Sequence, residues 1–219
     1  MKAMSLVERY ALLPEEIDRE SLKLVEASLP RSLGVGPQER YVVCRIVRAE
    51  GDPDIAASIR FSPGAVDRGL AALAAQAPVL TDVRMVEAGI SRALLKRHRI
   101  ATHCLIDAPQ VAARAQREGT TRSVAALREL APHLNGAVVA IGNAPTALLA
   151  LLDLVDQGLV SPALIIGMPV GFVACPESKD ELMRRPAPYI TIPGRRGGSS
   201  AAAATVNALL DLLSQREAA

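Results

Sequence analysis

The run Gly194-Arg195-Arg196-Gly197-Gly198-Ser199-Ser200 packs two guanidinium groups, three glycines and two hydroxyls into seven residues. Guanidinium forks pair bidentately with carboxylates and phosphates, so the run is equipped to hold an anion. It opens an Ala-rich stretch, read as a helix to about Leu213, whose free N–H groups add to that attraction. Two other stretches repeat the theme. Ala137 to Ile141 reads as a buried strand, Gly142-Asn143 as a turn, and Ala144-Pro145-Thr146 as the opening of a helix that ends near Gly158. In an open α/β sheet, ligands bind at such junctions beyond the carboxyl ends of the strands. This helix N-terminus would hold an anionic ligand well. Gly119-Thr120-Thr121-Arg122-Ser123 is a further turn before a helix, with Thr121 or Ser123 as cap and Arg122 at the helix mouth. Arg45 and Arg48 lie i, i+3 on a helix from Gly36-Pro37 to about Ala49, whose Val43, Ile46 and Val47 face inward. Their spacing alone favours two solvated arginines over one shared anion site.

Familiar catalytic patterns are missing. There is no GxGxxG, no GxxxxGK[ST] and no GxSxG. The three histidines are dispersed: His98 in a basic KRHR loop tip, His103 on a strand, and His133 at a helix end. They form no metal-ligand cluster. His103 is read as a structural histidine ahead of a site one. Cys44, Cys104 and Cys175 form no CxxC and suit reduced thiols in a cytoplasmic protein. Aromatic residues make up 2% of the chain and Trp is absent, which argues against base stacking on nucleic acid. A net charge of +2 is too small to imply a polyanionic partner. The N-terminal MKAMSLVERYALLPEE has no apolar region of signal length, and no run approaches the ~18 apolar residues of a membrane span.

The elements that must position these groups alternate between strand and helix. A helical lead-in covers residues 14–29, with Ile17, Leu24 and Val25 sharing a face with Ser21. Strands are expected at Ile55–Phe61, Val79–Thr81, Ile100–Ile106, Ala137–Ile141, Leu164–Ile166 and Ile190–Ile192. Helices are expected at about 65–76, from Pro109 to about Arg117, after Arg122 and from Pro176. Half the residues are hydrophobic, enough for a full core. The pattern predicts an α/β fold with a parallel-dominated central sheet covered on both faces. One domain is expected over 1–219, with 1–13 and 214–219 peripheral.

The order FSPGAV (61–66), DVRMVEAGISR (82–92), TTRS (120–123), GAVVAIGNAPTAL (136–148), GMPVGFV…ESK (167–179) and GRRGGSS (194–200) resembles the precorrin-8X methylmutase family. The likeness spans about residues 14–213. The resemblance implies a three-layer α/β/α fold and a homodimer acting in cobalamin biosynthesis, with the helix N-terminus at Ala144-Pro145-Thr146 facing a substrate carboxylate or an amide-like edge. It implies an isomerase that moves a methyl group from ring carbon 11 to ring carbon 12 of a corrinoid macrocycle, without a cofactor or a metal. It implies that Ser21, Arg45, Arg92, Arg122, Asn143, Thr146, Ser178, Arg195 and Ser199 lie near substrate, and that the loop Pro169–Val173 lies against the macrocycle. The family places a histidine, understood to protonate a ring nitrogen, where this chain has Arg48. Arginine keeps its proton and is a poor general acid near neutral pH. Two readings follow: a methylmutase in which Arg48 stabilises charge, or a relative that binds a corrinoid without the shift.

Overall fold

The computed structural model describes residues 5–6 and 14–218. Most of segment 1–13, and residue 219, therefore lie outside the described residues. Helices α1 (Pro14–Ser28) and α2 (Pro37–Glu50) come first. Glu39 accepts the Gly36 N–H at 2.9 Å to start α2, and Gly51 closes it at φ 65°. Then follow β1 (Arg60–Phe61), α3 (Ala65–Ala74), β2 (Val79–Thr81), α4 (Arg84–Gly89), α5 (Arg92–His98) and β3 (Thr102–His103). Next come α6 (Pro109–Glu118), α7 (Arg122–Leu130), β4 (Val138–Ile141), α8 (Pro145–Asp156) and β5 (Leu164–Gly167). The chain finishes with α9 (Cys175–Met183), β6 (Tyr189–Thr191) and α10 (Ser199–Ala218).

Among the described residues, six strands run in the order β1-β6-β5-β4-β2-β3, with only β1 antiparallel to its neighbour. Strand alternation divides the core into two layers. Val138, Ala140, Leu164 and Ile166 join a cluster with α2, α3 and α10 on one face. Val139, Ile141 and Ile165 join α7, α8 and α9 on the other. Both faces are covered, which is why β4 and β5 are apolar at every position. This is the expected three-layer arrangement.

Local departures have local causes. Ile55–Phe61 is not one strand: Pro53–Ser58 is a 3₁₀ turn, and only Arg60–Phe61 pairs with β6. Pro53 sets φ for that turn, and the Asp52 carboxylate accepts the Asp54 N–H at 2.9 Å. Only Thr102–His103 of the expected strand 100–106 pairs. Residues 96–98 of the expected KRHR loop tip form the last turn of α5, closed by Arg99 at φ 56°. His98 is buried there, with Nε2 2.8 Å from Ser214 Oγ and Nδ1 3.3 Å from Glu217 Oε1. On α1, Ile17 and Leu24 are 44% and 64% exposed. The packed positions are Leu22 and Val25, followed by Leu29 just past the helix. Helix α10 continues past Leu213 to Ala218, and Arg216 donates to Asp67 at 2.9 Å.

Candidate active site

The loops that follow β2, β4, β5 and β6 meet at the carboxyl ends of the parallel strands. Gly142 begins the turn after β4. A Cβ at Gly142 would stand 2.8 Å from Ser199 Cα and 2.6 Å from Val86 Cγ2, so only glycine lets α10 and α4 come this close. The Met168 N–H donates to Ile141 O, and the Gly198 N–H to Met168 O, each at 2.8 Å. Gly197, at φ 138°, lies where a Cβ would be 2.6 Å from Met168 O. The GRRGGSS turn is thus laid directly on the loop after β5.

Asp82, at the end of β2, holds the Gly142 turn from beneath. It is 3% exposed. Its Oδ1 accepts the Gly142 N–H at 3.0 Å, and its Oδ2 accepts Asn143 and Ala144 at 2.9 and 2.8 Å. Burial pushes its carboxyl pKa up, opposed by these three bonds. The expectation of a substrate carboxylate or an amide-like edge at the α8 N-terminus is narrowed, because the donors of the turn before it are already taken. The chain fills that anion position itself, and sequence spacing gave no sign of it: Asp82 lies sixty residues from the turn it caps.

Lys179 is fully buried. Its Nζ donates to the carbonyls of Gly194 and Arg196, at 3.0 and 2.5 Å, fixing the arginine turn from inside. Burial holds its pKa below the usual ammonium range. The two arginines of the turn are treated differently. Arg196 pairs with Asp52 of the turn after α2. The Arg195 guanidinium stands over the Phe172 ring, 5.4 Å from its centroid. Phe172 and Val173 are 82% and 86% exposed, so the loop presents apolar groups outward.

At Ser200, a cavity of about 270 Å³ is lined by residues that include Arg45, Arg48, Gly89, Ala203 and Asn207. Arg45 and Arg48 therefore share one cavity. Arg45 Nη2 is 3.1 Å from Asp211 Oδ2. Ser200 Oγ donates to Glu50. Asn207 accepts the Ser91 N–H at 2.8 Å and donates to Gly89 O at 2.9 Å, which ties the turn before Arg92 to the cavity wall. Across the turn, Thr146 Oγ1 is 3.3 Å from Thr121 Oγ1. Thr121 caps α7 by accepting Val124 N–H at 3.2 Å, so the exposed Arg122 follows directly on the residue that meets Thr146.

Two predicted residues stand apart. Ser178 is fully buried and its hydroxyl donates to Cys175 O at 2.9 Å, so its side chain serves α9 rather than an open wall. Ser21 is half-buried on α1, the helix beside α2. A larger groove of about 720 Å³ lies between α1 and α2, over Leu22, Glu26, Arg40, Tyr41 and Cys44, away from the strand ends. Burial and the Glu26 carboxylate push the Cys44 thiol up to about 12, which makes it inert. His103 stacks on His133 with centroids 5.3 Å apart, at the sheet edge. Among the described residues, no group of three or more His, Cys, Asp and Glu side chains is arranged to hold a metal. No described helix is long and apolar enough to cross a membrane.

Residues 16–212 match the family model described as precorrin-8X methylmutase. The precorrin-8X methylmutase of Pseudomonas aeruginosa is 44% identical over 89% of this chain and 94% of its own length. The cobalt-precorrin-8 methylmutase of Priestia megaterium is 36% identical over 90% of this chain and 87% of its own. The crystal structure of precorrin-8X methylmutase from Thermus thermophilus superposes with a TM-score of 0.86 at 40% identity, covering 92% of this chain and 97% of that one. Matching motifs, architecture and near-complete coverage agree: this chain belongs to the precorrin-8X methylmutase family.

Proposed function

We propose that the chain is a precorrin-8X methylmutase, an isomerase of cobalamin biosynthesis that acts on precorrin-8X or its cobalt form. The observation that carries this reading is the match over residues 16–212. The methyl group leaves one ring carbon and joins its neighbour within one molecule, so no electrons or protons are gained or lost overall. Arg45, Arg92, Arg122 and Arg195 hold substrate carboxylates by charge-assisted hydrogen bonds. Asn143, Thr146 and Ser199 supply uncharged contacts, and the Pro169–Val173 loop lies on the apolar macrocycle face. Arg48 stabilises negative charge on the substrate instead of passing a proton. Ser21 reaches substrate from α1. Ser178 acts through the packing of α9.

The working form is a cytoplasmic homodimer. Three buried free thiols suit a reducing compartment. The homodimer rests on the family likeness over residues 16–212. Sedimentation at working concentration is expected to give a dimer; a stable monomer overturns that part.

The deciding experiment incubates purified protein with precorrin-8X and follows the absorption spectrum. Many turnovers to the hydrogenobyrinate chromophore are expected. A stoichiometric shift without product overturns the methylmutase reading.

A further inference from the structure

Asp82 is a buried carboxylate whose bonds all go to one turn. Three consecutive N–H groups, from Gly142 to Ala144, converge on its two oxygens within 3.0 Å. They lie just before the twelve-residue helix α8: Ala144 is its N-cap, and Pro145, which has no N–H, is its first residue. Asn143, between them, is the exposed residue of the turn, while Gly142 and Ala144 are buried. The chain therefore fixes the backbone on both sides of Asn143 and leaves its side chain outward.

We propose that Asp82 is a positioning residue of the corrinoid site: it fills the anion position under the turn, fixes Asn143, and so makes this part of the wall meet an uncharged edge of the ligand instead of a carboxylate. A second anion at the turn would find its donors taken and a like charge beneath them. The ligand's carboxylates are directed to the arginines on either side. Within the wall, the Gly142 turn reads the ring system or an amide-like group, and the arginines read the acidic rim. This rests on the proposed placement of Asn143 near substrate.

The test reads binding of hydrogenobyrinate by absorbance titration, which does not depend on turnover. Asp82→Asn keeps the size of the side chain but turns an N–H₂ toward one of the three donors. We expect Kd to rise about tenfold or more, the loss typical of an unmet buried hydrogen bond. Asn143→Ala should raise Kd by a similar factor. If Asp82 acts through Asn143, the double variant binds no more weakly than the worse single variant. Multiplying effects, as a merely structural Asp82 would give, overturn the proposal. So does an Asp82→Asn protein that binds like wild type. An Asn143→Ala protein with unchanged Kd overturns the placement of Asn143, and the proposal with it, whatever the turnover assay shows. Should Asp82→Asn not fold, Asp82→Ala refolded in formate replaces it. Recovery of binding with formate and not with chloride supports a carboxylate in the pocket. Folding without recovery, or no folding at any formate concentration, overturns it.

Discussion

Lys179 Nζ lies 3.0 Å from the carbonyl oxygen of Gly194, with its entire side chain removed from solvent. A buried ammonium thus holds the backbone of the turn that carries Arg195 and Arg196. The turn keeps its two arginines together without their own charges having to stabilise the loop. Replacing the ammonium with an apolar group leaves the carbonyls of Gly194 and Arg196 unmet. Lys179→Met is expected to lower unfolding free energy in urea by about 1–3 kcal/mol and to raise the KM for precorrin-8X. Because folding lowers the Lys179 pKa from its usual 10.5, the unfolded chain binds more protons there between the folded value and 10.5. Its contribution to stability therefore rises with pH across that window, and unfolding curves of wild type against Lys179→Met in alkaline buffers will read it.

Arg48 and Arg45 share the cavity beside Ser200. Arginine does not titrate between pH 6 and 8, so a charge-stabilising Arg48 gives a kcat without an inflection from this residue. In Arg48→His, kcat should instead follow an ionisation near 6.5, the ordinary histidine value. General acid help should raise its maximal rate by about 10²-fold. A pH–rate series on both proteins checks this, and an unchanged profile in the variant sinks the assignment.

Arg195 and Arg196 are neighbours with separate duties. Arg196 pairs with Asp52, and both side chains are substantially exposed, so the pair is worth about 0–1 kcal/mol. Arg195 stands over Phe172 and faces the open side of the loop. Arg195→Ala is expected to raise KM about tenfold or more, as loss of a charge-assisted contact does. Arg196→Ala should change KM by less than about threefold on the same scale. Steady-state kinetics separate them, and the reverse ranking would falsify the division.

Acid should weaken the fold through carboxylates that arginines hold below their usual range. Glu118 accepts from Arg114 and Arg128 at 2.6 and 2.7 Å, and Asp156 accepts from Arg185 at 2.8 Å. Hydrogen bonds from those arginines lower both pKa values, as Arg84 lowers that of Asp107. Depressed folded values mean a contribution fully present above the unfolded values of 4.5 and 3.8 and lost as pH falls through the folded ones. Urea unfolding at pH 7, 5, 4 and 3 should show a plateau and then a decline. The decline should shrink in high salt, since these pairs face solvent.

The layers of this protein were legible in its sequence because strand and helix periods are local properties. Uninterrupted apolar runs at Val138–Ile141 and Leu164–Ile166 mark strands covered on both faces, and glycines and prolines mark their ends. The motif strings carried the family as well, since they record which backbones must come close. Gly142 is the clearest case: its missing Cβ is what admits Ser199. Tertiary structure alone decided where charge ends up. Asp82 and Lys179 read as ordinary polar residues in their own segments, yet each is buried against backbone far along the chain. His98 sits in a basic run yet packs inward against Ser214. Arg45, Arg48 and Ser200 meet only because α10 returns across α2. A helix N-terminus in the sequence is an attraction for an anion; which anion answers it depends on what the fold brings beneath it. Here that is the protein's own carboxylate, and Asn143 is left to meet the ligand.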